Sequence, residues 1–379
     1  RFSSVSGIPL SSFLPKENFP KFASDEHVEA SLKAAEESIT LLKNKDNVLP
    51  FSKNAKILVT GPTANSILAL NGGWGRTWQG NDASYHSSEK KTILTGLEDK
   101  LGKGNVQFLE GTTYDKDMNT SKAASAAKNV DAIVVCIGEM PYTEKPGDID
   151  DLDLPQVQLD LVRALAKSGK PIVLILVEGR PRIFREIEPL ASGVVQTYLA
   201  SDEGGRAIAN VLLGDVNPSG KLPYTYPRYS NALVTYDHKG TDLINQDFSM
   251  DAFQPQYEFG YGLSYTSFEY SNLKLAENMG MDDEMIISVT VKNNGDRDGK
   301  EVVQLFISDK IASITPPVKR LRGFEKTMLK KGESKDISFS IKASNLAFVG
   351  SDNKWITEPG EFEVNIGGEK AVFYLGESK

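Results

Sequence analysis

Residues 131–139 read DAIVVCIGE, an unbroken apolar run closed by a glycine and an acid. A half-exposed strand alternates apolar with polar side chains, whereas a strand buried on both faces does not. The run therefore reads as a central strand covered on both sides. Its neighbours repeat the theme: AKILVTG (55–61) and VQFLEG (106–111) upstream, PIVLILVEG (171–179) and GVVQTYLAS (193–201) downstream. Helical stretches separate them: SKAASAAKNV (121–130), GGRAIANVLLGD (204–215), and LPQVQLDLVRALAKSG (154–169) with Pro155 early and Gly169 at its end. HVEASLKAAEESITLLKN (27–44) has apolar residues at helical spacing, and Asp25 is placed to cap its start. Strands alternating with helices predict an α/β sandwich over 25–226, a mostly parallel sheet with helices on both faces.

From about Tyr270 the pattern changes. EMIISVTVKNNGDRDGKEVVQLFIS (284–308) gives two strands separated by NNGDRDG, a strong turn signal. SKDISFSIK (334–342) and EFEVNIGG (361–368) continue the short strands. Residues 268–379 are thus expected to form an all-β sandwich of immunoglobulin or fibronectin type III-like size. Trp355, at a strand edge, is expected to pack in its core. Residues 227–267, rich in Tyr, Asp, Gln and Pro, read as a connector. Residues 1–24, RFSSVSGIPLSSFLPKENFPKFAS, resemble neither a signal peptide nor a regular element and read as a linker entering from an upstream domain.

Composition removes several function classes. A net charge of −8 with scattered Lys and Arg carries no footprint for nucleic acid or an anionic membrane. The single cysteine, Cys136, lies inside the apolar run, which excludes an internal disulfide and predicts an inert buried thiol. His27, His86 and His238 are too widely spaced for a metal motif, and no metal or other cofactor is expected. No apolar stretch approaches the ~18 residues of a membrane-spanning helix.

Open α/β sheets place ligands at the carboxyl ends of their strands. Three loops qualify: NGGWGRTWQG (71–80), EMPYTEKPGDIDDLDLP (139–155) and EGRPR (178–182). The second is the most acidic, with Glu139, Glu144, Asp148, Asp150, Asp151 and Asp153. Three readings stand there: a solvated loop whose aspartates cap the next helix, a calcium loop, or a glycosidase acid. The calcium loop lacks the D-x-[DN]-x-[DN]-G order. Asp150, Asp151 and Asp153 suit the capping role. A glycosidase requires a carboxyl of raised pKa beside the leaving oxygen. The first loop lacks both phosphate-binding glycine orders, and Trp74 and Trp78 would crowd a pyrophosphate. Indole faces instead suit a sugar ring, with loop packing as the alternative. Arg180 and Arg182 are expected to pair with the acidic loop.

Several motifs, specific in order and spacing along nearly the whole chain, carry a resemblance: EESITLLKNKDNVLPF, KILVTGPTAN, GGWGRTWQG, GEMPYTEKPGD, LVEGRPRI, EGGRAIANVLLGDVNPSGKLPYTYP, FGYGLSYTSFEYSNL and VKNNGDRDGKEVVQLFIS. The chain resembles the two C-terminal domains of glycoside hydrolase family 3, in the branch of β-glucosidases and exo-acting 1,3/1,4-β-glucan glucohydrolases. The resemblance implies that Glu144 is the general acid/base and that Trp74 and Trp78 clamp the sugar in the positive subsite. Arg76 and Glu139 flank these positions as weaker candidates, and Asp148 is expected to fix the loop. It further implies a preceding (β/α)8 barrel that supplies the nucleophile, β-glucosides or β-glucan oligosaccharides as substrates, and a periplasmic or secreted location. The chain by itself is then expected to be inactive, with the tryptophan loop mobile when no barrel covers it. Two other readings remain: a carbohydrate-binding or scaffold protein without catalysis, and a nucleotide-binding α/β protein with an immunoglobulin-like appendage.

Overall fold

In the computed structural model, residues 21, 23–240 and 253–376 are described. The expected linker therefore lies almost wholly outside the described residues, as does part of the expected connector. The first unit is a six-stranded sheet built from β1 (Thr40–Asn44), β2 (Ile57–Thr60), β3 (Val106–Phe108), β4 (Ala132–Gly138), β5 (Ile172–Val177) and β6 (Gly193–Gln196). The spatial order is β1-β6-β5-β4-β2-β3. Five strands are parallel, and β1 closes the edge antiparallel to β6.

The alternation within each strand explains the two-sided apolar code. Ile57, Val59, Val134, Cys136, Val173 and Ile175 face one core, together with the helices α1 (Asp25–Ser38), α3 (Ile93–Leu101) and α6 (Gly204–Leu212). Leu58, Ile133, Val135, Leu174 and Leu176 face the other, covered by α4 (Thr120–Ala126) and α5 (Gln156–Ala166). Cys136 is fully buried, and burial pushes its thiol pKa up, as expected of an inert thiol.

Two local expectations fail. The helical pattern of 27–44 stops at Ser38, and Thr40–Asn44 becomes β1, its Thr40 opposite Gln196 and Leu41 opposite Val195. Ile39 to Leu42 are all buried, so pairing with β6 gives this stretch more burial than another helical turn could. The α1 cap is Ser24, which accepts from His27 N–H, rather than Asp25.

The second unit is an antiparallel sandwich. One sheet runs β11-β10-β15-β16-β8, with only β8 (Asn278–Met279) parallel to its neighbour β16 (Glu369–Leu375). Its other strands are β10 (Gly299–Asp309), β11 (Arg320–Leu329) and β15 (Gly360–Ile366). The facing sheet runs β12-β9-β7, from β7 (Phe268–Lys274), β9 (Glu284–Asn293) and β12 (Ser334–Lys342). NNGDRDG joins β9 to β10 across the two sheets, so it is a crossing between layers, not a hairpin. Inward residues such as Ile287, Val289, Val303, Leu305 and Val364 make the core. Trp355 is not among them. It sits in the two-residue strand β14 (Trp355–Ile356), paired with β13 (Phe348–Val349), and is 72% exposed. The two units are tied by the Glu37 carboxylate, which pairs with Lys300 and Lys326, and by Asn217 Nδ2 donating to Asp298 O at 3.1 Å.

Candidate active site

In the order β3-β2-β4-β5-β6 the chain leaves β2 toward one edge and returns to β4 on the other side. The crevice between the carboxyl ends of β2 and β4 is therefore the topological switch point, where open α/β sheets bind ligands. The tryptophan loop follows β2 and the acidic loop follows β4, so both converge there.

A short helix that the sequence did not reveal, α2 (Ile67–Asn71), precedes the tryptophan loop and is capped by Ser66. The loop then closes on itself: Trp74 N–H donates to Trp78 O at 2.9 Å. Trp74 takes a left-handed backbone, φ 57°. Gly80, at φ 65°, leaves no room for a side chain, since a Cβ there would meet Gly72 O at 2.0 Å. The glycines thus fix a tight crossing of backbone, and both indoles are turned outward, Trp74 68% and Trp78 50% exposed.

The two loops are joined through Gln79 and Thr143. Thr143 N–H donates to Gln79 Oε1 at 3.2 Å, Gln79 Nε2 to Thr143 O at 3.4 Å, and Thr143 Oγ1 to Trp78 O at 3.2 Å. The next residue, Glu144, has a left-handed backbone (φ 50°) and an exposed side chain without a hydrogen bond or ion pair among the described residues. A cleft of about 320 Å³ lies between the loops. Its walls include Trp74, Glu139, Tyr142 and Glu144, with Met140 and Leu199 as exposed apolar surfaces. Trp78 and Arg76 lie outside this lining. Arg76 pairs instead with Asp202, whose second oxygen lies 3.3 Å from His86 Nδ1. Burial opposes ionisation of Asp202, yet Arg76 and His86 hold its carboxyl below its usual range.

Beneath the acidic loop is a nearly buried ion cluster. Glu139 Oε2 accepts from Arg180 Nε at 2.8 Å and from Arg182 Nη1 at 3.2 Å, while Glu139 Oε1 accepts from Arg180 N–H. Arg180 also donates to Gly147 O at 2.6 Å and lies 3.9 Å over the Tyr142 ring. The expected pairing of both arginines with this loop is realised at Glu139. Burial and the neighbouring Glu139 push the Tyr142 hydroxyl up to about 12. Asp148 does not fix the loop through its side chain, which bonds to nothing among the described residues; the Arg180 bond to Gly147 O does so. Nor do the aspartates cap α5, which has no side-chain cap; Asp151 instead accepts from Asp153 N–H and Ser230 Oγ. Among the described residues no acidic or His/Cys cluster is arranged to hold a metal ion.

Glu178, read in the sequence only as part of EGRPR, is the most deeply buried acid of the site. Burial pushes its carboxyl up to about 8. Tyr226 Oη lies 2.7 Å from both Glu178 Oε1 and Arg182 O, and has one proton to donate. Gln196 Nε2 also donates to Glu178 Oε1, at 3.3 Å. Leu199 and Asp202 were also missed; their signal was the position of YLASD just beyond the carboxyl end of β6.

Residues 39–265 match the glycosyl hydrolase family 3 C-terminal domain. The chain belongs to glycosyl hydrolase family 3. Residues 301–370 match a fibronectin type III-like domain. Among curated relatives in this family, a lysosomal β-glucosidase of Dictyostelium discoideum is 40% identical over 92% of this chain and 44% of its own length. A periplasmic β-glucosidase of Salmonella typhimurium is 35% identical over 96% of this chain and 52% of its own. A β-glucosidase variant from Listeria innocua, solved in complex with laminaribiose, superposes with a TM-score of 0.86 at 29% identity, covering 96% of this chain and 51% of that one. The chain spans about half the length of the family 3 relatives it matches. No described helix is long and apolar enough to cross a membrane.

Proposed function

We propose that this chain is the C-terminal portion of a retaining, exo-acting β-glucosidase that removes nonreducing-end β-D-glucosyl residues. The carrying observation is the position of Glu144, an unpaired exposed carboxyl beside Trp74 in the cleft at the sheet's switch point. Glu144 protonates the glycosidic oxygen as the aglycone leaves, then as a carboxylate removes a proton from the water that attacks the glycosyl-enzyme. Trp74 and Trp78 hold the leaving sugar through their indole faces. Glu139 and Arg76 act from behind, Glu139 by anchoring the acidic loop and Arg76 by bracing the tryptophan loop against Asp202.

A retaining mechanism needs a second carboxyl ~5–5.5 Å from the first. That nucleophile comes from an upstream barrel of the same polypeptide, so the active site forms where the two domains meet. Residues 1–24 act as the linker from that barrel, 25–226 and 268–379 as the two domains, and 227–267 as the connector between them. β-Glucosides and β-glucan oligosaccharides are the substrates, and the periplasm or cell exterior is the site of action. Laminaribiose bound to the Listeria relative and the periplasmic Salmonella relative support these assignments.

The isolated chain is expected to release no p-nitrophenol from an aryl β-glucoside. Turnover by this chain that Glu144→Gln abolishes would overturn the need for a second domain. Laminaribiose binding unaffected by Trp74→Ala and Trp78→Ala together would overturn the clamp.

A further inference from the structure

The motif FGYG (259–262) is used by none of the chemistry above. It lines a groove of about 640 Å³ between segment 255–261 and the outer face of β10. This groove shares no lining residue with the Trp74 cleft.

One wall is a column of rings. Buried Phe184 stacks on Tyr257 with centroids 6.5 Å apart and planes 25° apart, and Tyr257 stacks on Tyr261 at 5.3 Å and 22°. Tyr261 ends the column, and no further ring stacks on it among the described residues; it is 37% exposed. An aromatic face held rigid from behind is a pre-organised platform for a flat ligand, because little side-chain entropy remains to be lost on binding. The floor is the outward row of β10, Val302, Gln304 and Phe306, and the far side carries Asn365, Gly367 packed on the Tyr270 ring, and the open Gly368.

Charge limits what the groove can take. Glu258 pairs with Lys319 at 3.2 Å, and Lys319 also lies over the Phe306 ring. Glu301 accepts from Tyr270 Oη at 2.8 Å and faces Lys221 at 3.7 Å. Every charged lining residue thus has an opposite charge within the chain, so no uncompensated ion recruits a charged ligand. Aromatic surface beside neutral amides and compensated carboxylates matches a neutral pyranose ring, with its apolar C–H face and its rim of hydroxyls.

We propose that this groove is a second carbohydrate site, binding a neutral β-glucan oligosaccharide with Tyr261 as the stacking platform. It rests on the reading of the Trp74 cleft only for the identity of the sugar, not for the existence of the site. The groove holds substrate chains without taking part in bond cleavage.

The test titrates the chain with laminaritetraose and with cellotetraose by calorimetry. In a Trp74→Ala/Trp78→Ala background, one of the two sugars still binds. Adding Tyr261→Ala weakens that residual binding by roughly tenfold or more, the scale of a lost ring stack. Adding Val302→Arg, which fills the groove floor and leaves the ring column intact, does the same. Absence of residual binding for both sugars, or residual binding that survives either substitution, overturns the proposal. Failure of the clamp reading is separate, since it appears as wild-type affinity unchanged by the tryptophan substitutions alone.

Discussion

The two walls of the Trp74 cleft are held in different ways. The acidic wall stands on charged side chains: Glu139 gathers Arg180 and Arg182 below the surface, and Arg180 reaches up to the turn at Gly147. The tryptophan wall stands on backbone, with Trp74 bonded to Trp78 across a crossing that only glycine permits at Gly80. Both present their exposed tips, Glu144 and Trp74, on a foundation that is itself buried. A side chain can thus be exposed and unpartnered while its backbone is fixed, because the bonds that fix it belong to neighbours.

The largest test breaks the acidic foundation. Glu139→Ala leaves Arg180 and Arg182 without their carboxylate, and removing one partner of a largely buried pair costs about 3 kcal/mol. Urea unfolding is expected to show that loss, while the Trp74 amide, bonded to Trp78 O, keeps its protection from hydrogen exchange.

Glu178 sharpens the contrast through pH. Its carboxyl is raised to about 8 in the folded chain, well above the value of an unfolded glutamate. The native state therefore binds more protons than the unfolded state across that interval. The contribution is fully present below the unfolded value, declines as pH rises and is lost once pH passes about 8. Glu178→Gln is expected to flatten the fall of unfolding free energy between pH 5 and 8, by on the order of 1 kcal/mol per pH unit. An unchanged slope would show that Glu178 is ionised in the native chain.

The smallest effects belong to the tryptophan wall. Gly80→Ala sets a side chain against Gly72 O and is expected to destabilise by roughly 1–3 kcal/mol while rebuilding the loop. Trp74→Ala, at a largely exposed position, is expected to change stability by less than about 0.5 kcal/mol. Hydrogen exchange across 71–80 would show whether these ties, five hydrogen bonds within the loop and to Thr143, suffice against the expected mobility.

Much of this was legible along the chain because burial on both faces leaves a continuous apolar record. DAIVVCIGE and PIVLILVEG became β4 and β5, and the short strands after Tyr270 became a sandwich. Glu144 and Trp74 were singled out from their motifs, and the fold brings those two into one cleft while leaving Trp78 and Arg76 outside its lining. What escaped depended on partners distant in sequence. Ile39 to Asn44 reads as helix until β6 is beside it. Trp355 reads as core until the two-residue strand carrying it is seen to lie outside the sandwich.

By itself, then, the sequence determined the two fold classes, the inert cysteine and the pairing of Arg180 and Arg182 with the acidic loop, since periodicity and charge are local properties. Tertiary structure alone decided that β2 and β4 flank the switch point, that Glu139 is the shared partner of both arginines, and that Glu178 is buried against Tyr226. Each of these depends on strand order and on the low-dielectric environment that strand order creates, and no single stretch of sequence records either.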